Sequence, residues 1–115
     1  MTPKVLVVED TLSIRELLKE LLESESYSVV TADHGASGLA ALEKYGDKIK
    51  TIILDLEMPV MDGHKFIAKL KEMVNPPPVI ITSANPYTFY REYINLPKPY
   101  DVKVLLDHLR RLTHT

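Results

Sequence analysis

The run Leu54-Asp55-Leu56-Glu57-Met58-Pro59-Val60-Met61-Asp62-Gly63 follows an apolar stretch, Thr51-Ile52-Ile53-Leu54. Asp55 therefore stands where a buried strand gives way to a loop. A second apolar run, Val5-Leu6-Val7-Val8, ends in Glu9-Asp10. A third, Val79-Ile80-Ile81, ends in Thr82-Ser83-Ala84, and a short fourth, Ile94-Asn95-Leu96, ends in Pro97-Lys98-Pro99. Open parallel sheets bind ligands outside the carboxyl ends of their strands. Glu9, Asp10, Asp55, Thr82, Ser83 and Lys98 would then share one edge.

Three converging acids repel one another unless a cation sits among them or one takes up a proton. Hard oxygen ligands with room for water suit Mg²⁺ better than zinc. Beside such an ion, the Asp55 carboxylate has the character of a nucleophile toward a phosphoryl donor. Catalysis of that kind is mainly positioning and charge neutralisation. Lys98 offers a point charge to one phosphoryl oxygen. The Ser83 hydroxyl and the Ala84 backbone N–H offer hydrogen bonds to the others.

The elements that must hold these groups are legible from periodicity. Ile14, Leu17, Leu18, Leu21 and Leu22 follow helical spacing. Ser13 with Glu16 fits a capping box, and Asp10 or Thr11 are alternative N-caps. Tyr27 to Ala32 reads as a strand rich in β-branched residues. A second helix carries Leu39, Ala40, Leu42 and Glu43 and stops near Gly46. A third carries Phe66, Ile67, Leu70 and Val74, entered through an Asp62-Gly63 turn and ended by Asn75 and the prolines. Val79–Ile81 lacks polar alternation, as expected of a strand covered on both faces. Asp101 caps a last helix bearing Val102, Leu105, Leu109 and Leu112. The order is βα repeated about five times, which right-handed crossovers convert into a doubly wound five-stranded parallel sheet. The fourth crossover is short: only residues 85–93 separate Ala84 from Ile94. At most about two turns of helix fit there, with Pro86 best placed at the first helical position.

Composition narrows the function. A chain of 115 residues, 45% hydrophobic and 26% charged, is expected to form one domain over 1–115. A net charge of -2 argues against nucleic-acid binding by electrostatics. There is no cysteine, hence no disulfide, thiolate metal site or thiol nucleophile. No apolar run approaches the ~18 residues of a membrane span, and no signal peptide is evident, so a cytoplasmic location without membrane partners is the expectation. The four histidines are scattered and receive no phosphotransfer role.

The pieces Val5–Asp10, Asp55–Gly63, Ile81–Ala84 and Leu96–Pro99 together resemble the receiver domain of bacterial two-component response regulators. The resemblance runs from about Lys4 to Leu112. It implies a flavodoxin-like fold in which Asp55 accepts a phosphoryl group from a sensor histidine kinase or a histidine phosphotransfer protein. It implies Mg²⁺ as cofactor, held by Glu9, Asp10, Asp55 and the backbone carbonyl of Glu57, with Asp10 the more direct of the acid pair. Ser83 becomes the switch hydroxyl, since the small residue that follows it is Ala84. Lys98–Pro99 becomes a candidate cis bond, and Ile14, Pro99 and Tyr100 become candidate kinase contacts. Slow hydrolysis of the aspartyl phosphate is implied, rather than enzymatic turnover. With no output domain expected after the last helix, signalling or relay would go through a downstream protein.

Two positions depart from the family pattern. The fourth crossover is about two turns short, and the place usually held by a switch aromatic is Asn95, with Tyr93 nearby. The aromatic group Tyr87, Phe89, Tyr90 and Tyr93 would cover the sheet edge left open. A degenerate receiver acting as a phosphorylation-independent binding module is the alternative these departures favour; the intact Asp55, Asp10, Ser83 and Lys98 speak against it. A small phosphatase would need a cap insertion that the chain lacks. Glu57 and Asn85 flank the pocket, and the Glu57 carboxylate is expected to slow anionic donors by repulsion.

Overall fold

The computed structural model describes residues 2–58, 61–85 and 87–113; the expectations placed on Pro59, Val60, Pro86 and His114 fall outside them. Five strands, β1 (Lys4–Val8), β2 (Ser28–Ala32), β3 (Ile49–Asp55), β4 (Val79–Ser83) and β5 (Ile94–Pro97), form one sheet in the order β2-β1-β3-β4-β5. Every pairing is parallel. Helices α1 (Leu12–Ser24), α2 (Gly35–Tyr45), α3 (Gly63–Leu70) and α4 (Val102–Thr113) cover the two faces, and a 3₁₀ turn at Gly46–Lys48 leads into β3. The sequence expectation of a doubly wound, flavodoxin-like parallel sheet is met.

Strand residues alternate between two cores, as the period of two demands. Val5, Val7, Ile53 and Ile80 pack with Leu18 and Leu22 of α1 and Leu105 and Leu109 of α4. Leu6, Val8, Ile52, Leu54 and Ile81 pack with Leu42 of α2 and Phe66, Ile67 and Leu70 of α3. Apolar demand on both faces explains the unbroken Val/Ile/Leu runs. From β1 the chain goes first to one side (β2) and then to the other (β3), so the topological switch point lies between β1 and β3. The crevice outside their carboxyl ends is where such sheets bind ligands.

Several local expectations are corrected. No Ser13–Glu16 capping box forms; Thr11 is the N-cap of α1 and makes no side-chain cap bond. Leu17 faces solvent, as does Val102 at the start of α4. Helix α3 ends at Leu70, and Val74 is 88% exposed. Past Leu70 the chain tightens into i→i+3 bonds, Glu72 N–H to Lys69 C=O and Met73 N–H to Leu70 C=O. Asn75 then adopts positive φ ahead of Pro76, a left-handed conformation that asparagine tolerates better than most residues. Asp62, expected only as part of a turn entering α3, is its N-cap and accepts from Lys65 N–H at 2.9 Å. Asp101, the expected cap of the last helix, accepts from Lys103 N–H at the head of α4.

Among the described residues between β4 and β5 no helix forms. The backbone is satisfied instead by turns and by one side chain. Asn85 accepts from Tyr87 N–H at its side-chain oxygen and from Thr88 N–H at its carbonyl. Asn95 accepts from Tyr90 N–H at 3.0 Å and donates to the carbonyls of Tyr90 and Tyr93 at 2.7 and 2.9 Å. Asn95 thus clamps the crossover in place of a helical ladder. Tyr90 and Tyr93 pack on the α2/α3-side core, covering sheet that a helix would otherwise cover, while Tyr87 and Phe89 stay exposed.

Replacing Asn95 with Ala strands three backbone groups that are partly sheltered. Urea unfolding of Asn95→Ala is expected to show a loss of about 1–3 kcal/mol. A midpoint equal to that of the parent protein would show that the clamp carries no load.

Candidate phosphoryl and metal site

Asp55 is the last residue of β3, and its carboxylate is almost wholly buried at the switch point. Glu9 follows β1 and is equally buried, whereas Asp10 is exposed beside it. One ligand oxygen from each of Glu9, Asp10 and Asp55 lies within 4.8 Å of the others. Lys98 reaches across from the end of β5, with Nζ 3.2 Å from Asp55 Oδ1 and 3.7 Å from Glu9 Oε1. The four side chains expected from sequence to meet do meet.

Backbone donors fix the carboxylates. Thr11 N–H donates to Glu9 Oε2 and Glu57 N–H to Asp55 Oδ1, each at 3.2 Å. Arg15 on α1 donates to the carbonyl of Glu9 at 2.9 Å, tying the β1–α1 loop to the helix. This is a positioning residue that sequence reasoning missed, because an arginine on an exposed helix face carries no motif. The loop after β3 folds back sharply. Gly63 N–H donates to Leu56 C=O, and a Cβ on Gly63 would lie only 2.5 Å from Leu56 Cα. Only glycine permits that approach. The peptide Lys98–Pro99 is cis, as expected.

The electrostatics follow from burial. Desolvation pushes the Glu9 carboxyl up from 4.5 to about 7, with the Asp55 charge adding to it and the Thr11 N–H and Lys98 opposing. Burial also raises the Asp55 carboxyl, against the pull of Lys98 and the Glu57 N–H. Burial works against the Lys98 ammonium, but Asp55 and Glu9 outweigh it and hold Lys98 above its ordinary value. The cluster holds more acid than its one ammonium neutralises. Its donors are all hard oxygens, so the residues present fit a divalent cation of the Mg²⁺ type.

The Ser83 side chain stands at the end of β4. Thr82, by contrast, turns its hydroxyl back to Leu54 C=O within the sheet. Of the two hydroxyls, that of Ser83 is the one turned toward the loop after β3. Ser83 Oγ donates to Glu57 Oε2 and Ala84 N–H donates to Glu57 Oε1, both at 2.8 Å. The Glu57 side chain thus turns away from the acid cluster and accepts from both donors.

The response regulator receiver domain family matches residues 5–110. The chain belongs to that family. Receiver relatives include the transcriptional regulatory protein GlrR of Escherichia coli K12, 41% identical over 81 residues, covering 70% of this chain and 18% of GlrR. An uncharacterised transcriptional regulatory protein of Bacillus subtilis, YbdJ, is 30% identical over 115 residues, covering 95% of this chain and 50% of its own length. The chain thus spans half or less of these two curated relatives. Among solved structures, the receiver domain of the hybrid histidine kinase CckA superposes with a TM-score of 0.83 at 28% identity, over 96% of this chain and 98% of that one. The chemotaxis protein CheY4 of Vibrio cholerae gives 0.81 at 28%, over 97% and 99%. This receiver domain is a two-component signalling module, and its family is not one of turnover enzymes. No helix among the described residues is long and apolar enough to cross a membrane.

Because Glu9 and Asp55 hold protons more tightly folded than unfolded, the metal-free receiver binds extra protons above pH 4.5. Its stability is therefore complete below the unfolded values and declines as pH rises toward about 7. Thermal unfolding in EDTA should show Tm falling across that window, and Mg²⁺ should raise Tm more at pH 7.5 than at pH 5. A flat Tm and equal Mg²⁺ effects at both pH values would contradict the burial account.

Proposed function

We propose that this single receiver domain accepts a phosphoryl group on Asp55 from the phosphohistidine of a sensor kinase or histidine phosphotransfer protein. The observation that carries the reading is the buried Asp55 carboxylate, 3.2 Å from Lys98 at the sheet's switch point, with two more acids alongside. One Asp55 oxygen forms the new P–O bond. The P–N bond of the donor breaks, its electron pair goes to the imidazole nitrogen, and that nitrogen takes up a proton.

Lys98 Nζ neutralises charge on the phosphoryl oxygens and holds the Asp55 oxygen in place. Ser83 Oγ–H and Ala84 N–H supply two further donors. Glu9, Asp10, Asp55 and the Glu57 carbonyl would hold Mg²⁺, which when bound neutralises charge on the transferred group. Self-hydrolysis of the aspartyl phosphate is slow on this reading, and the output is contact with a downstream protein in the cytoplasm.

Acetyl phosphate with Mg²⁺ should add one phosphoryl group, about 80 Da by intact mass, as expected of positioned phosphoryl transfer. The adduct should be absent in EDTA and absent in Asp55→Asn. Lys98→Ala should lower the labelling rate by about tenfold or more. An adduct that persists in Asp55→Asn would overturn the assignment of the acceptor.

A further inference from the structure

The two donors assigned to the phosphoryl group are already taken. Ser83 Oγ–H and Ala84 N–H both point at one carboxylate, that of Glu57, at 2.8 Å each. A carboxylate presents two anionic oxygens to two donors much as two oxygens of a phosphoryl group would. The Ser83 hydroxyl is further fixed by accepting from Asn85 N–H at 3.0 Å. The cradle therefore stands assembled around an anion supplied by the chain itself.

We propose that the Glu57 side chain is an internal competitor for the phosphoryl-binding donors, so that Asp55 is phosphorylated only when Glu57 swings out. This inference rests on the phosphoacceptor reading above. It differs from simple repulsion, which acts through space and depends on charge alone. Competition depends on reach: the carboxylate must span from the loop after β3 to the end of β4. Glu57 is solvent-exposed, so the swing carries the carboxylate into water and leaves no buried charge behind. Leaving costs two charge-assisted hydrogen bonds, discounted by the solvent around them. The competitor thus slows phosphorylation without abolishing it, and favours donors that deliver the phosphoryl group already held in position.

Charge and reach are separated by three substitutions. Glu57→Ala removes both. Glu57→Gln keeps the length but leaves one oxygen acceptor. Glu57→Asp keeps the charge but is one methylene shorter, so it loses contact with Ser83 and Ala84. Initial rates with acetyl phosphate and Mg²⁺, read by intact mass, should rise about three- to tenfold in both Glu57→Ala and Glu57→Asp. Glu57→Gln should fall between these and the parent. The ¹H–¹⁵N signal of Ala84 should shift upfield in the proton dimension in Glu57→Ala, as its amide loses a charged acceptor. A Glu57→Asp variant as slow as the parent, or an unmoved Ala84 amide, would overturn competition while leaving Asp55 as acceptor. If neither the parent nor Glu57→Ala is labelled, the phosphoacceptor reading falls, and competition falls with it.

Discussion

The burial of acid at one sheet edge governs this receiver domain. Asp55 and Glu9 end neighbouring strands, so a parallel sheet that reverses its strand order between β1 and β3 brings them together. Both are stripped of water by the apolar runs that precede them. Such a pair is costly to leave charged. The structure meets that cost with one ammonium and two backbone donors, and burial still leaves the Glu9 carboxyl pushed up to about 7. What remains is a standing demand for positive charge, which is the property a Mg²⁺-dependent phosphoryl site requires.

The rest of the fold serves that demand. Two apolar cores clamp the sheet from either side and hold the strand ends in register. The Leu56–Gly63 return sets the loop after β3. Arg15 ties the acid-bearing loop to α1. On the far side of Asp55, the crossover after β4 has exchanged helix for turns held by Asn95. Packing there is aromatic rather than helical: Tyr90 and Tyr93 cover the sheet, while Tyr87 and Phe89 stay exposed. On the pocket side, Ser83 ends β4 and its hydroxyl is held between Glu57 and the Asn85 N–H at the start of the crossover.

Most of this was legible in the sequence. Strands buried on both faces leave continuous apolar runs, and the residue that ends such a run is placed by the sheet itself; Glu9, Asp55, Ser83 and Lys98 could therefore be located before any coordinates. Helix ends were less legible. Val74 continues the apolar spacing of α3, yet the helix ends at Leu70 and the chain tightens into i→i+3 turns before Val74 is reached. Ser13 and Glu16 have the spacing of a capping box, but α1 is capped two residues earlier, at Thr11, so Ser13 already lies inside the helix. His34 caps α2 through Nδ1, a role its residue type does not advertise. Contacts made by long side chains were hidden altogether. Neither Arg15 on the Glu9 carbonyl nor Glu57 on Ser83 and Ala84 follows from periodicity, since each depends on how a loop turns.

The central claim is that Glu9, Asp10 and Asp55 form a divalent-cation site at the acceptor. Titrating Mn²⁺ into ¹⁵N-labelled protein tests it most directly, because a paramagnetic ion broadens only nearby amides. The account predicts selective loss of signal at Glu9, Asp10, Asp55, Leu56 and Glu57, competed away by Mg²⁺ and weakened in Asp10→Asn. Amides at the opposite edge of the sheet, such as Lys4 and Lys50, should stay sharp. Broadening centred on surface acids such as Glu23 and Glu25, or none at the strand ends, would contradict it.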